Sequence, residues 1–197
     1  MKNTATRDKL IDSGAELITQ QGYNATGINA VLKACGVPKG SFYHYFSSKE
    51  DFGLAVIEHF ANDYDASLVA LLEDPMTPPL ERLRRYFAVS RAYMSERDHT
   101  TGCLIGNLGQ ELAGQSVRFR EALNHAFQRW EARFAHCLQA AQAQGALTSA
   151  LDPHQLASFI LSGWEGAILR AKTLKSDAPM EVFESILFEQ VLMPPTG

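Results

Sequence analysis

Hydrophobic residues recur along this chain every three or four positions, the spacing that predicts amphipathic α-helices rather than strands. The first helix is predicted over about residues 5–21, with Gly22 in a C-cap position. The second begins at Thr26, a residue type favoured at N-caps, and must end soon before Pro38, because the residue preceding a proline is disfavoured from the helical conformation. Pro38 itself suits the first turn of a third, short helix that reaches about Tyr45.

Six further helices are predicted beyond this segment. Ser47 and Ser48 cap a long fourth helix, and the proline-rich residues 74–79 make the clearest break in the chain. There is no sustained alternation of apolar and polar residues, so the sequence predicts an all-α protein of about nine helices. The last five are marked by apolar residues in 80–94, 104–112 and 119–141, by the pair Asp152-Pro153 and by Pro179.

The eighth and ninth predicted helices carry apolar residues on more than one face. A helix covered on one side only needs a single apolar stripe, so these two call for a second covering surface. A symmetric pair of such helices forms a four-helix bundle between two subunits, which predicts a homodimer. The alternative is that both helices pack entirely within one chain.

Composition describes an ordinary globular protein, with 46% hydrophobic and 20% charged residues in 197. The N-terminus is polar, and no run approaches the roughly 18 apolar residues of a membrane span, so we expect a cytoplasmic protein that does not engage the membrane. Cys35, Cys103 and Cys137 are widely spaced, which favours reduced thiols over a disulfide framework; Cys35 and Cys137 are expected in the core.

The net charge of −4 is unevenly distributed. Residues 1–60 contain six basic and six acidic side chains, so the remainder carries the whole deficit. Between Glu16 and Glu50 there is no acidic residue, whereas Lys33, Lys39 and Lys49 all lie within this stretch. Phosphate binding needs only such a local patch, so the acidic total does not exclude DNA.

Two short helices joined by a tight turn at residues 35–37 have the layout of a helix-turn-helix. In the second of them, Phe42 and Phe46 are spaced to point inward, which leaves the polar residues outward for the major groove. Gly40 removes a side chain where the helix would approach DNA. The residues predicted to contact double-stranded DNA, through bases or phosphates, are Thr26, Lys39, Gly40, Ser41, Tyr43, His44 and Lys49.

This segment resembles a known family. The run from Gly22 to Glu50 contains a glycine-aromatic step, a threonine, a Gly-Val turn, a basic-Gly-hydroxyl triplet, Tyr-x-x-Phe and Ser-Lys-Glu, in the order typical of TetR-family repressors. The resemblance implies a DNA-binding domain over residues 1–48 and a helical ligand-binding and dimerisation domain over residues 49–197. It also implies a repressor that a small-molecule inducer releases from a palindromic operator.

The segment from Thr100 to Glu111 bears on the inducer. Cys103 stands at a predicted helix start, where the helix dipole favours the thiolate, and Asn107 and Glu111 follow at intervals of four. This segment and Lys172 resemble the NemR-like and AcuR-like branch of the family, which is associated with reactive electrophiles or small unsaturated acids. The predicted ligand or sensor residues are Cys103, Asn107, Glu111, Lys172, Trp130 and Trp164; the two tryptophans are alternatively plain core, and Cys103 a buried structural residue.

Two other classes of protein compete with a regulator. A small helical enzyme with Cys103 as nucleophile is one, although the sequence contains no phosphate-binding glycine loop, nucleophile elbow or His-Glu-x-x-His. A helical interaction protein without DNA binding is the other, and the intact Lys39, Tyr43 and Lys49 argue against it. No cofactor or metal site is predicted, since His125 and His136 lack the i, i+4 spacing of a helical metal pair.

Overall fold

The computed structural model describes residues 2–147 and 151–192, apart from the side chains of residues 2–4 and 39. These residues form nine α-helices and no strand, which confirms the all-α prediction. A 3-10 turn at Lys39–Ser41 precedes α3, and a π-helical turn at Leu187–Val191 follows α9. The helices are α1 (Lys2–Gln21), α2 (Ile28–Cys35), α3 (Phe42–Tyr45), α4 (Lys49–Leu72), α5 (Pro79–Ser95), α6 (Leu104–Leu112), α7 (Val117–Ala143), α8 (Pro153–Leu174) and α9 (Ala178–Ile186).

Local capping signals explain several helix starts. At α8 the Asp152 carboxylate accepts a hydrogen bond from the His154 backbone N–H at 3.1 Å, and Pro153 fills the first helical position. At α4 the Ser48 hydroxyl accepts from the Asp51 N–H at 3.0 Å. Both caps confirm the sequence prediction.

Two predicted starts are wrong. Gly27, not Thr26, is the N-cap of α2, because the Thr26 hydroxyl donates backward to the Gly22 carbonyl at 2.7 Å. The third helix does not run unbroken from Pro38: Gly40 and Ser41 are poor helix formers, and this stretch takes the tighter 3-10 form before α3 begins.

The described chain folds into two compact units. Unit 1 consists of the residues up to 63 together with 104–126, and unit 2 consists of 64–103 together with those from 127 onward. Unit 1 therefore contains the whole predicted helix-turn-helix and all of α6, with parts of α4 and α7. The boundary after residue 48 stays a prediction about which segment serves DNA binding.

The core of unit 1 is built on aromatic rings. Phe42 is fully buried, and its ring centroid lies 5.4 Å from those of Phe46 and Phe52. A Cβ on Gly14 of α1 would stand 2.2 Å from the Phe52 ring, so α1 and α4 approach too closely there for any side chain. Burial of these rings fixes the orientation of α3.

The core of unit 2 centres on Trp164, whose ring lies 4.6 Å from Phe87 and whose indole N–H donates to the Ser90 hydroxyl at 3.2 Å. Gly163 lets α8 and α9 meet, because a Cβ there would be 2.4 Å from Phe183. Cys137 is buried as predicted, and burial raises the pKa of its thiol to about 11.

In unit 1, Cys35, which was also predicted in the core, is only partly buried. Within the described ranges, none of the helices has the length and apolar character needed to cross a membrane.

Candidate DNA-binding and sensor sites

A tight turn joins α2 to the segment that precedes α3. Gly36 adopts a left-handed conformation with φ of 67°, which costs glycine little and other residues more. The Val37 N–H donates to the Leu32 carbonyl at 3.0 Å and closes the turn. This geometry reverses the chain between two short helices, as a helix-turn-helix requires.

The α3 segment divides its residues between core and solvent as the sequence predicted. Phe42 and Phe46 are buried, whereas Tyr43 is 67% exposed and His44 is exposed. Gly40 is exposed too, and a Cβ added to it would meet nothing within 4 Å. Ser41 is partly exposed beside them, and the side chain of Lys39 lies outside the described residues. A polar surface with open space above it is therefore available to a partner.

Thr26 takes a different place from the one predicted for a phosphate donor. It is buried, and its hydroxyl, which donates to the Gly22 carbonyl, also accepts from the Gln21 amide at 3.2 Å. The hydroxyl therefore holds the loop between α1 and α2.

Lys49 and Glu111 hold the same loop. The Lys49 ammonium donates to the Tyr23 carbonyl at 2.9 Å and lies 4.4 Å from the Tyr23 ring centroid, and burial lowers the pKa of Lys49. The Glu111 carboxylate accepts from the backbone N–H groups of Tyr23 at 2.9 Å and Asn24 at 2.7 Å. We call these contacts the loop clamp. Glu111, predicted for the ligand site, is thus engaged with the DNA-binding module.

Two acidic residues at the start of α4 are paired with one arginine. The Arg118 guanidinium donates to Glu50 at 2.9 Å and to Asp51 at 2.9 Å, and the Ser116 hydroxyl donates to Glu50 at 2.6 Å. Hydrogen bonds from serines and Arg118 lower the pKa of both carboxyl groups. Their negative charge next to the proposed DNA surface is thereby offset.

A group of polar side chains surrounds Cys103 in unit 2. Burial raises the pKa of the Glu165 carboxyl group on α8 to about 7, and the Cys103 thiol partly offsets this rise. The hydroxyls of Tyr64 and Tyr86 hydrogen-bond to each other at 2.9 Å, and both tyrosines interact electrostatically with Cys103 and Glu165. These four residues are called the Cys103 cluster.

Trp130 borders the Cys103 cluster, with its ring centroid 4.5 Å from that of Tyr64. Its indole N–H is buried and has no acceptor among the described residues. The Thr101 hydroxyl, two positions before Cys103, is likewise buried without a partner in that part of the chain. Buried polar groups are normally satisfied, so a ligand or a water would supply the acceptor of each donor.

The six predicted ligand residues are divided between the units. Cys103, Trp130, Trp164 and Lys172 belong to unit 2, whereas Asn107 and Glu111 belong to unit 1. Lys172 follows the thiol's partner Glu165 by seven residues, about 10.5 Å along a helix. Sequence reasoning missed Glu165. Its position, four residues after Leu161 and three before Ile168, puts an acidic residue on the same face of α8 as two buried apolar residues, and this pattern could have indicated it.

Two sequence profiles match most of the chain. The one described as bacterial regulatory proteins of the tetR family matches residues 10–56, and the tetracyclin repressor-like C-terminal domain matches residues 79–187. The transcriptional regulator AcuR of Cereibacter sphaeroides is 42% identical over 174 residues, which are 88% of this chain and 80% of that protein. The chain belongs to the TetR family. It is a DNA-binding regulator of transcription, which confirms the resemblance seen in the sequence.

Two more members of the TetR family resemble this chain over nearly all its length. The repressor DhaR of a Mycobacterium species is 36% identical over 192 residues, 98% of this chain and 95% of that protein. A crystal structure of the reduced form of Escherichia coli NemR has 32% identity and a TM-score of 0.87, covering 97% of this chain and all of that one. These relatives are regulators, so they lend no support to the enzyme alternative.

Proposed function

We propose that this TetR-family regulator is a repressor that binds a near-palindromic operator as a homodimer and leaves it when a small molecule reaches the Cys103 cluster. The observation that carries the DNA-binding part is the exposed polar surface of Gly40, Tyr43 and His44 above the buried Phe42. Base edges are read by such side chains on a helix that the core holds rigidly. A cytoplasmic place of action follows from the DNA target.

The α8–α9 surface of unit 2 supports the homodimer. It contains an open apolar groove of about 550 Å³. Phe159, Leu174, Val182 and Ile186 line it and are 54–59% exposed. Large contiguous apolar surfaces mark interfaces, and TetR-family regulators act as dimers. The homodimer would present two α3 segments to major grooves about one turn, 34–36 Å, or more apart.

The sensor part rests on the Cys103 cluster. Cys103 is partly exposed, has a carboxyl partner and lies two residues after the unsatisfied Thr101 hydroxyl. The crystal structure of the relative NemR is described as its reduced form, so the oxidation state of that protein is specified. We propose that an electrophile modifies the Cys103 thiol, and a hundredfold loss of operator affinity would require about 2.7 kcal/mol of coupling.

Gel-shift titrations with the DNA upstream of the gene test the DNA-binding part. Tyr43→Ala should weaken operator binding about tenfold, because it removes an exposed side chain of the reading surface. Tyr93→Ala is the matched control, since Tyr93 is a 44% exposed tyrosine of unit 2. Equal affinities of both variants would contradict the assignment of α3 as the reading helix.

The sensor is tested in the same assay with a small unsaturated aldehyde. The wild type should release DNA, Cys103→Ser should not, and Cys35→Ser should behave as the wild type. Equal release by the Cys103→Ser variant would point to a reversible ligand instead.

Sedimentation of Phe159→Asp should show monomers where the wild type is a dimer; an unchanged dimer would move the interface elsewhere.

A further inference from the structure

We propose that Arg7 of α1 is a further phosphate-binding residue, and that its guanidinium contacts the DNA backbone beside the groove in which α3 lies. This inference rests on the DNA-binding role proposed above for α3 and adds a residue outside the set predicted from the sequence. The observation that carries it is the position of the Arg7 guanidinium carbon, 5.5 Å from the centroid of the Phe46 ring. Both residues belong to unit 1.

Phe46 relates this position to the proposed reading surface. It is the C-cap of α3, and its buried ring lies 5.4 Å from the ring of Phe42. The Phe42 ring in turn lies 5.4 Å from the ring of the exposed Tyr43. A cation over an aromatic ring is attracted by the ring quadrupole, so the Phe46 ring holds the guanidinium near the end of α3 without using its N–H donors.

The hydrogen-bond donors of Arg7 remain free for a ligand. Unit 1 contains three arginines. Arg118 is paired with two carboxylates of α4, and Arg120 donates to the Ala113 carbonyl at 3.4 Å. Arg7 is exposed, and within the part of the chain that the structure describes its guanidinium has no oxygen acceptor. Its planar fork of five N–H donors fits a phosphate group, which accepts two parallel hydrogen bonds.

Two residues that the sequence predicted for the phosphates are engaged elsewhere. The Thr26 hydroxyl is buried and holds the loop between α1 and α2, and the Lys49 ammonium donates to the Tyr23 carbonyl at 2.9 Å. DNA affinity depends strongly on cations that neutralise phosphates, so the reading surface needs further positive charge beside it. Arg7 supplies such a charge at the C-terminal end of α3.

The dimensions of DNA favour a phosphate over a base as the partner of Arg7. An α-helix with its side chains is about 10–12 Å across, and the major groove is about 12 Å wide. A helix in the groove therefore has the phosphates of both strands alongside it. Arg7 extends from a different helix, α1, and its guanidinium lies beside α3, which places it for the wall of the groove.

A purely structural role for Arg7 predicts a different response to salt. If its side chain only covers the Phe46 ring, its removal would lower Tm and weaken DNA binding by the same factor at every salt concentration. A phosphate contact releases condensed counterions, so its removal makes the fall of log affinity with log salt concentration shallower. The salt dependence therefore separates the two roles.

The experiment measures the affinity of the full chain for the DNA upstream of its gene and for an unrelated duplex, by fluorescence anisotropy at several salt concentrations. The variants are Arg7→Ala and Arg7→Lys. The matched control is Arg120→Ala, which removes the same charge from another exposed arginine of unit 1. Circular dichroism checks the folding and Tm of each variant.

Arg7→Ala should bind both duplexes more weakly, and its deficit relative to the wild type should shrink about threefold for each half-site as salt rises from about 50 to 200 mM. Arg7→Lys should keep the wild-type slope with a smaller loss of affinity, because its ammonium still neutralises a phosphate but lacks the planar fork. Arg120→Ala should match the wild type.

An Arg7→Ala slope equal to that of the wild type overturns the proposal, whether or not Tm falls. So does an equally shallow slope in Arg120→Ala, because the change would then follow the net charge of the protein. A loss confined to the upstream DNA also contradicts it, since phosphates carry no sequence information.

Failure of this inference and failure of the proposed reading helix give different results. If Tyr43→Ala binds like its control while Arg7→Ala has the shallower slope, α3 is not the reading helix and the phosphate contact stands. If Arg7→Ala keeps the wild-type slope while Tyr43→Ala weakens binding, α3 reads the operator without help from Arg7.

Discussion

Replacing Glu111 by glutamine tests whether this residue belongs to the loop clamp or to a ligand site. The carboxylate accepts two backbone N–H bonds, at 2.9 and 2.7 Å, from Tyr23 and Asn24. Hydrogen bonds to a charged group contribute about 1.5–3 kcal/mol each, less where solvent has access, as it does here. Glutamine keeps one oxygen acceptor and turns its NH2 group toward a backbone donor. We expect a loss of about 1–2 kcal/mol, or roughly 3–6 °C in Tm for a chain of this size.

Thermal melting followed by circular dichroism measures this loss, and gel shifts without any ligand measure its effect on DNA. Operator affinity should fall at least about threefold, because the loop that leads into α2 is no longer held. Glu121→Gln, an exposed glutamate of α7 in unit 1, is the control and should match the wild type. The reasoning is refuted if Glu111→Gln melts and binds DNA like the wild type but responds differently to the inducer. That outcome would return Glu111 to the ligand site.

Three further changes have defined outcomes. Gly40→Ala should leave Tm unchanged or slightly higher, because the added methyl group meets open space, yet weaken operator binding about tenfold. The control is Gly109→Ala on α6, where the space is equally open and gel shifts should show unchanged binding. Burial raises the pKa of Glu165, so the wild type should lose stability as the pH rises from 4.5 to 7, because ionising the native carboxyl is costly. Glu165→Gln lacks this cost and should become more stable relative to the wild type, by roughly 3 kcal/mol at most. Parallel curves of Tm against pH would disprove this. If the Lys49 ammonium reaches a phosphate, Lys49→Ala should weaken binding to all DNA sequences alike and lower the slope of log affinity against log salt concentration by about one. An unchanged slope with a lower Tm would leave Lys49 only its role in the loop clamp.

Local signals account for the part of the fold that the sequence predicted well. The limits of α6 and the Asp152 cap of α8 depend on residues within a few positions of one another, and both are found as predicted. The inward direction of Phe42 and Phe46 follows from their spacing of four on α3. Such features need no knowledge of the rest of the chain.

Two of the site details that the sequence missed depend on distant pairs. Glu111 binds backbone groups 87 and 88 positions away, and its spacing from Cys103 suggested a shared polar wall only because both lie in one stretch of sequence. Glu165, on α8, interacts with Cys103, which directly precedes α6. Thr26 looked like a cap because its type fits one, whereas its hydroxyl found an acceptor one turn earlier. Tertiary contacts decided the assignments of Glu111 and Glu165, whereas a local hydrogen bond decided that of Thr26.

The positions of the two tryptophans give this protein a built-in optical reporter. Trp130 and Trp164 are the only tryptophans of the chain, and both are buried in unit 2. Indole emission therefore reports on unit 2 alone, and partial unfolding of unit 1 would lower the helical ellipticity while leaving that emission unchanged. Trp130 lies 4.5 Å from Tyr64 and Trp164 lies 6.5 Å from Tyr86, both tyrosines of the Cys103 cluster, so an adduct or ligand there should change the quenching of the indole emission. Occupancy of the proposed sensor site can thus be followed in real time without any label.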